Sequence, residues 1–123
     1  MAILGDRVAG QALTPELALD HLEELSSDVR AAVLIDSKGT IAASTDPERG
    51  DRFAELALAL FDRAELEADE PPAQVEVTAT AGAVFAVRDT RFTLAVVADR
   101  LALASLMFYD LRTVLGRLEP RSA

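Results

Sequence analysis

The sequence predicts an α/β domain of the α+β kind. It consists of a five-stranded antiparallel sheet with helices on both faces, in the order α-β-β-α-β-β-β-α. Three observations carry this expectation. Three stretches repeat apolar residues at three-four spacing, the mark of an amphipathic helix. Five short apolar runs, most of them rich in β-branched residues, fall into one pair and one triplet whose connections are too short for a crossover, so neighbours are antiparallel. Two of those runs, Val29 to Ile35 and Phe92 to Ala98, are apolar on both faces, which requires cover on both sides of the sheet.

Residues 1–13 show no period and contain Gly5 and Gly10, so they read as a flexible N-terminal lead to a domain spanning 14–118. Thr14-Pro15 opens the first helix, with a hydroxyl at the N-cap and proline at the first helical position. Leu17, Ala18, Leu22 and Leu25 gather on one of its faces, and Ser26-Ser27-Asp28 ends it. Val29 to Ile35 is a largely buried strand. Asp36-Ser37-Lys38-Gly39 turns the chain, with Gly39 able to take positive φ, and Thr40 to Ser44 returns.

Thr45 to Asp51 is polar, holds Pro47 and Gly50, and reads as a connecting loop. A second helix is expected from about Asp51 to Ala68, with Phe53, Ala57, Leu60 and Ala64 as its buried line, stopped by Pro71-Pro72. Gln74 to Thr80 is a strand, Ala81-Gly82 a turn, Val84 to Arg88 a strand, Asp89-Thr90-Arg91 a turn and Phe92 to Ala98 the last strand. Asp99 is placed to cap a final helix from about Arg100 to Leu118, followed by Pro120 and a tail over 119–123. Its line is Leu103, Met107, Leu111, Val114 and Leu118, widened by Leu101, Ala104, Phe108 and Leu115, with Leu106 and Tyr109 left outside.

Composition narrows the function. A chain of 123 residues fits one domain at roughly 150 residues each. Half its residues are apolar, which excludes a disordered acidic tail. Twelve basic against 21 acidic residues give a net charge of −9, which disfavours nucleic acid and anionic membrane surfaces as partners. Without cysteine there is no disulfide, thiolate nucleophile or cysteine-ligated metal, and without asparagine no glycosylation sequon. The first residues do not form a signal peptide, and the longest nearly apolar run, Leu101 to Tyr109, is about half the ~20 residues a spanning helix needs. A soluble, cytoplasmic domain is expected.

No catalytic, cofactor or metal set is legible. His21, the single histidine, sits in the first helix beside Asp20, and no Gly-x-Ser-x-Gly elbow presents a serine to it, so it reads as a packing residue. Glu23-Glu24 and Asp69-Glu70 read as solvated carboxylates. Asp46, Glu48 and Asp51 could suit a hard cation but lack the twelve-residue calcium-loop pattern. The six glycines form no phosphate-binding loop, which excludes a P-loop nucleotide hydrolase.

Surfaces are more informative than pockets. On the second helix Glu55, Asp62 and Glu65 lie nearly opposite the apolar line, yet Leu58 falls among them, Ala59 is adjacent and Leu66 is also off the line. Two stray leucines favour a protein contact there. Gln74 to Thr80 is a sheet edge blunted only by Glu76 and the upstream prolines, so it could pair with a second copy through a two-fold operation or be covered by a loop.

Taken in order, these motifs resemble the roadblock (dynein light-chain roadblock) domain. Val33-Leu34-Ile35-Asp36-Ser37-Lys38-Gly39-Thr40-Ile41-Ala42-Ala43-Ser44 resembles its first hairpin. Gly82 to Asp89 followed by Phe92 to Asp99 resembles its last two strands, and the leucine-rich helix through Leu118 completes the likeness over about residues 14–118. The resemblance implies one helix on one face of the sheet and two on the other. It also implies homo- or heterodimers made by joining edge strands, with the middle helices side by side.

Bacterial relatives of this kind bind and regulate small Ras-like GTPases as activators or scaffolds and are not themselves enzymes. Carried over, the dimer interface is Gln74, Val75, Glu76, Val77 and Thr78 with Leu58 and Leu66. The partner-binding candidates are Glu55, Leu58, Ala59, Asp62 and Glu65. No cofactor is implied. The alternative is a ligand-sensing regulatory domain of a bacterial signalling system, which requires a pocket of roughly 300 Å³ or more with converging polar groups.

Overall fold

A computed structural model describes residues 12–118. Most of the N-terminal lead and the 119–123 tail, with Pro120, lie outside the described residues. Helix α1 spans Pro15–Leu25, β1 Val29–Asp36, β2 Ile41–Ser44, α2 Pro47–Glu67, β3 Gln74–Ala79, β4 Gly82–Arg88, β5 Phe92–Ala98 and α3 Ala104–Arg117. The strands form one antiparallel sheet in the order β2-β1-β5-β4-β3, the expected architecture.

Local chemistry explains most of the boundaries. Thr14 caps α1 by accepting the Leu17 N–H, with Pro15 in the first turn. In the first hairpin one Asp36 carboxylate oxygen accepts the N–H groups of Lys38 and Thr40, each at 2.9 Å, while Gly39 takes φ +85°. Arg91 closes the C-terminal end of α3, donating to the carbonyls of Leu118 and Leu115 at 2.6 and 2.9 Å. A cation there also opposes the negative end of the helix dipole.

Two cores lie on opposite faces of the sheet. Helices α1 and α3 bury Ala18, Leu19, Leu22, Met107, Leu111 and Val114 against Leu34, Phe85, Leu94 and Val96, and Phe85 meets Phe108 edge-on. Helix α2 buries Ala54, Ala57 and Phe61 against Val33, Ile35, Ala86 and Ala95. Leu13, assigned to the lead, is buried as well and bridges Leu118, with its N–H donating to the Arg117 carbonyl.

Several expectations need correction. The Thr45–Asp51 segment is not all loop, because α2 begins at Pro47, which suits a first helical turn. Gly50 then packs on β2, where a Cβ would lie 2.8 Å from the Ser44 hydroxyl. The buried line of α2 is Gly50, Ala54, Ala57 and Phe61. Small residues let this helix approach the sheet, whereas Phe53, Leu60 and Ala64 flank the contact.

Asp99 does not cap α3. Its N–H donates to the Asp28 carbonyl, its carboxylate pairs with Arg30, and its carbonyl accepts from Ala102, so residues 100–103 form a turn and α3 starts at Ala104. Leu101, 82% exposed, and Leu103 therefore leave the core line. Leu17 and Leu25 are exposed too, and Leu19 takes their place. Gly82 is not in the β3–β4 turn but opens β4, where a Cβ would meet the Ala98 carbonyl at 2.9 Å.

Two tests follow from this packing. Gly82→Ala should cost about 1–3 kcal/mol by overpacking. Gly116→Ala, in open space on α3, should add about 0.5–1 kcal/mol; urea denaturation distinguishes the signs. At Asp89, burial pushes the carboxyl up, but hydrogen bonds from the Arg91 side chain and from the N–H groups of Phe92 and Arg91, with the Arg91 charge, outweigh it and hold the group below its ordinary value. A depressed folded value contributes stability that is present above the unfolded value near 3.9 and lost as pH falls through the folded one. Asp89→Asn should therefore flatten the acid limb of a stability–pH curve below about pH 4.

Candidate interaction surface

Among the described residues, strand β3 pairs with β4 on one side and has no strand on the other. Gln74, Glu76 and Thr78 are exposed, Val77 is 43% exposed, and Val75 is half-buried against the α2 core. An arginine braces each end of this edge. Near Gln74, the Arg88 guanidinium lies 4.3 Å from the Phe61 ring centre, pairs with Glu65 and donates to the Pro72 carbonyl at 3.1 Å. At the β3–β4 turn, Arg30 pairs with Asp99 and donates to the Ala81 carbonyl at 3.2 Å.

Pairing fixes which residues share a row across the sheet. Val33, Ala95, Ala86 and Val75 are cross-strand neighbours in turn, and all four lie in the core under α2. The next row on the same face is Ala31, Val97, Val84 and Val77. Every member of that second row is at least partly exposed. A bare apolar shelf thus runs beside α2 and ends on the open edge.

Helix α2 presents the other expected residues. Glu55, Ala59, Asp62 and Glu65 are exposed, as is Leu66 at 86%. Leu58 departs from expectation: it is half-buried, packs on the α2 core and lies beside Gly39. Leu56 is 47% exposed. Glu65 is engaged by Arg88.

The arginine braces and the shelf depend on strand register and so leave no mark in the sequence pattern. The alternation of Val75 and Val77 marks a strand, but it does not say where a helix stops.

His21 is half-buried, with Nε2 3.2 Å from an Arg117 guanidinium nitrogen, so it packs between α1 and α3. Among the described residues no group of three His, Cys, Asp or Glu side chains could hold a metal, and no helix is long and apolar enough to cross a membrane.

No family model and no curated protein matches the sequence. Solved structures do match. The Roadblock/LC7 domain from Streptomyces avermitilis superposes with a TM-score of 0.71 at 23% identity, covering 82% of this chain and 92% of that one. The chain has the roadblock fold. Myxococcus xanthus MglB shares it at a TM-score of 0.64 and 15% identity, over 81% of this chain and 80% of its own. The gliding protein MglB from Thermus thermophilus does so at 0.61 and 19%, over 82% and 84%.

In this roadblock fold the Arg88 brace orders the edge. Arg88→Ala removes the ring contact, the ion pair and the bond to Pro72 together and should cost about 1–3 kcal/mol. Hydrogen exchange should accelerate across Gln74–Ala79 more than across β5; equal acceleration in both strands would rule out a local brace.

Proposed function

We propose that this chain is a non-enzymatic, homodimeric interaction module that binds and regulates a small Ras-like GTPase, as activator or scaffold. The observation that carries the proposal is the open β3 edge, ordered at both ends and lacking the lysine, proline or bulge that usually blunts one. A second copy pairing there by a two-fold operation would satisfy the outward N–H and C=O groups along Gln74–Thr78. The roadblock fold supports the same reading, since the family implies edge-joined dimers whose middle-helix surface meets the GTPase.

On this reading Leu66 lies at the contact between copies, and Glu55, Ala59 and Asp62 face the GTPase. Leu58 contributes less, because much of it is already packed. Glu65 serves both its Arg88 brace and the partner-facing surface. The compartment is the cytoplasm, where such GTPases act.

Four measurements test this. Light scattering should give a dimer mass for the native chain. Val77→Pro, which removes a ladder donor and fixes φ in mid-strand, should give a monomer with the circular dichroism of the native chain. A GTPase from the same organism should co-purify with the chain and change its GTP hydrolysis rate by at least tenfold on mixing. Glu55→Arg with Asp62→Arg should reduce that effect while leaving the dimer intact. Failure to bind any GTPase of the organism would overturn the functional part.

A further inference from the structure

Beside α2 the structure carries a groove of about 790 Å³ that is not lined by the β3 edge. Its floor holds Ala31 and Val97, the first two members of the bare row, and its wall holds Phe53 and Leu56 of α2. Val84 and Val77 continue the same floor toward the edge. From β1 to β3 the row crosses three strand spacings, about 14 Å, which matches two to three turns of helix.

Charge on the wall identifies what could lie there. Arg49, Arg52, Leu56 and Arg63 follow one another at spacings of three, four and seven, so they share one flank of α2 with Phe53 and Leu60. Glu48, Asp51, Glu55 and Asp62 lie on the opposite flank of α2. Thus, in a chain of net charge −9, Arg49 and Arg52 line the wall of a mainly apolar groove, with Asp46 beside them, and Arg63 extends their flank beyond it.

Not all of the local charge is available. Arg30, also on the rim, is paired with Asp99, and Arg49 lies 3.9 Å from Asp46. Arg52 and Arg63 make no ion pair among the described residues. Glu67 closes the same flank at its C-terminal end.

We infer that this groove is a docking site for an acidic amphipathic helix of a partner protein. Such a helix would lie alongside α2, with its apolar stripe on the valine row and its carboxylates on Arg49, Arg52 and Arg63. Helix α2 already covers the neighbouring row of the same sheet face in this manner, so a second helix finds an equivalent floor. A second copy is the weaker occupant. Its own α2 flank would bring Arg52 and Arg63 against the same arginines, and its helix ends beside its own β3, three strands from β1. The inference deepens the proposed GTPase-regulating role by naming the docking element, and it rests on that role only for the partner's identity.

The probe is a fluorescein-labelled 14-residue peptide with leucines at positions i, i+3, i+4 and i+7 and glutamates elsewhere, titrated by anisotropy against the full chain. The control has lysine in place of glutamate. Binding of the glutamate peptide is expected, weakened at least tenfold by R49E with R52E, equally by Leu56→Glu, and falling with salt. The lysine peptide should not bind.

No binding of the glutamate peptide, equal binding of both peptides, or affinities unchanged in the variants would overturn the inference. Displacement of the peptide by dodecanoate at a tighter affinity would also overturn it, in favour of a small amphipathic anion. Light scattering on the same samples separates the two readings. R49E with R52E should leave the dimer mass unchanged, and a monomer would instead assign the groove to the contact between copies. Glu76→Pro, at an edge position whose side chain lies on the other face of β3 from the valine row, should abolish the dimer and retain peptide binding, so a failed dimer and a failed groove are distinguishable.

Discussion

Side chains on a strand alternate between faces, so each face of a sheet is a set of parallel rows, and one helix covers only some of them. In this molecule α2 comes close to the sheet because Gly50, Ala54 and Ala57 are small, and Phe61 fills the space beyond them. That close approach seals the row Val33–Ala95–Ala86–Val75. It leaves Ala31, Val97 and Val84 only partly covered and Val77 exposed. The shelf, the groove at its inner end and the exposed Val77 at its outer end all follow from where one helix lies.

The opposite face shows the contrast. There two helices share the sheet, and α1 and α3 together bury Leu34, Phe85, Leu94 and Val96. A face with one helix and a face with two cannot be equally sealed by helices of ordinary width. The unequal layering therefore places the exposed apolar surface on the α2 side, continuous with the edge strand.

Much of this architecture was legible in the sequence. The Thr14-Pro15 start, the Asp36–Gly39 turn and the Phe92–Ala98 strand are local chemistry, and the structure places them as expected. What was not legible depended on contacts between distant residues. Apolar residues extend around more than half of α2, so periodicity alone could not choose between the Phe53–Leu60 line and the Ala54–Phe61 line; the sheet chose the smaller residues. Asp99 looked like a helix cap because Arg30, the partner that engages it, lies 69 positions away in the chain. Leu58 looked exposed because Gly39, which it adjoins, belongs to the first hairpin. The candidate edge was legible as a strand, but its braces were not, since Arg88 and Arg30 act through register and turn geometry.

Those braces bear on why an unpaired edge persists. A loose terminal strand would have to order as it paired, and the entropy of ordering about six residues would oppose association. Arg88 fixes the entry to β3 through Pro72, Phe61 and Glu65, and Arg30 fixes its exit through Ala81. The strand is thereby ordered before it meets anything. Bracing both ends of a strand that shields little of the core adds modestly to the stability of a monomer. Its larger effect is to lower the ordering cost of a contact made along that edge. The same economy holds for the valine shelf, whose shape is set by β1, β5 and β4 and does not wait for a partner to form.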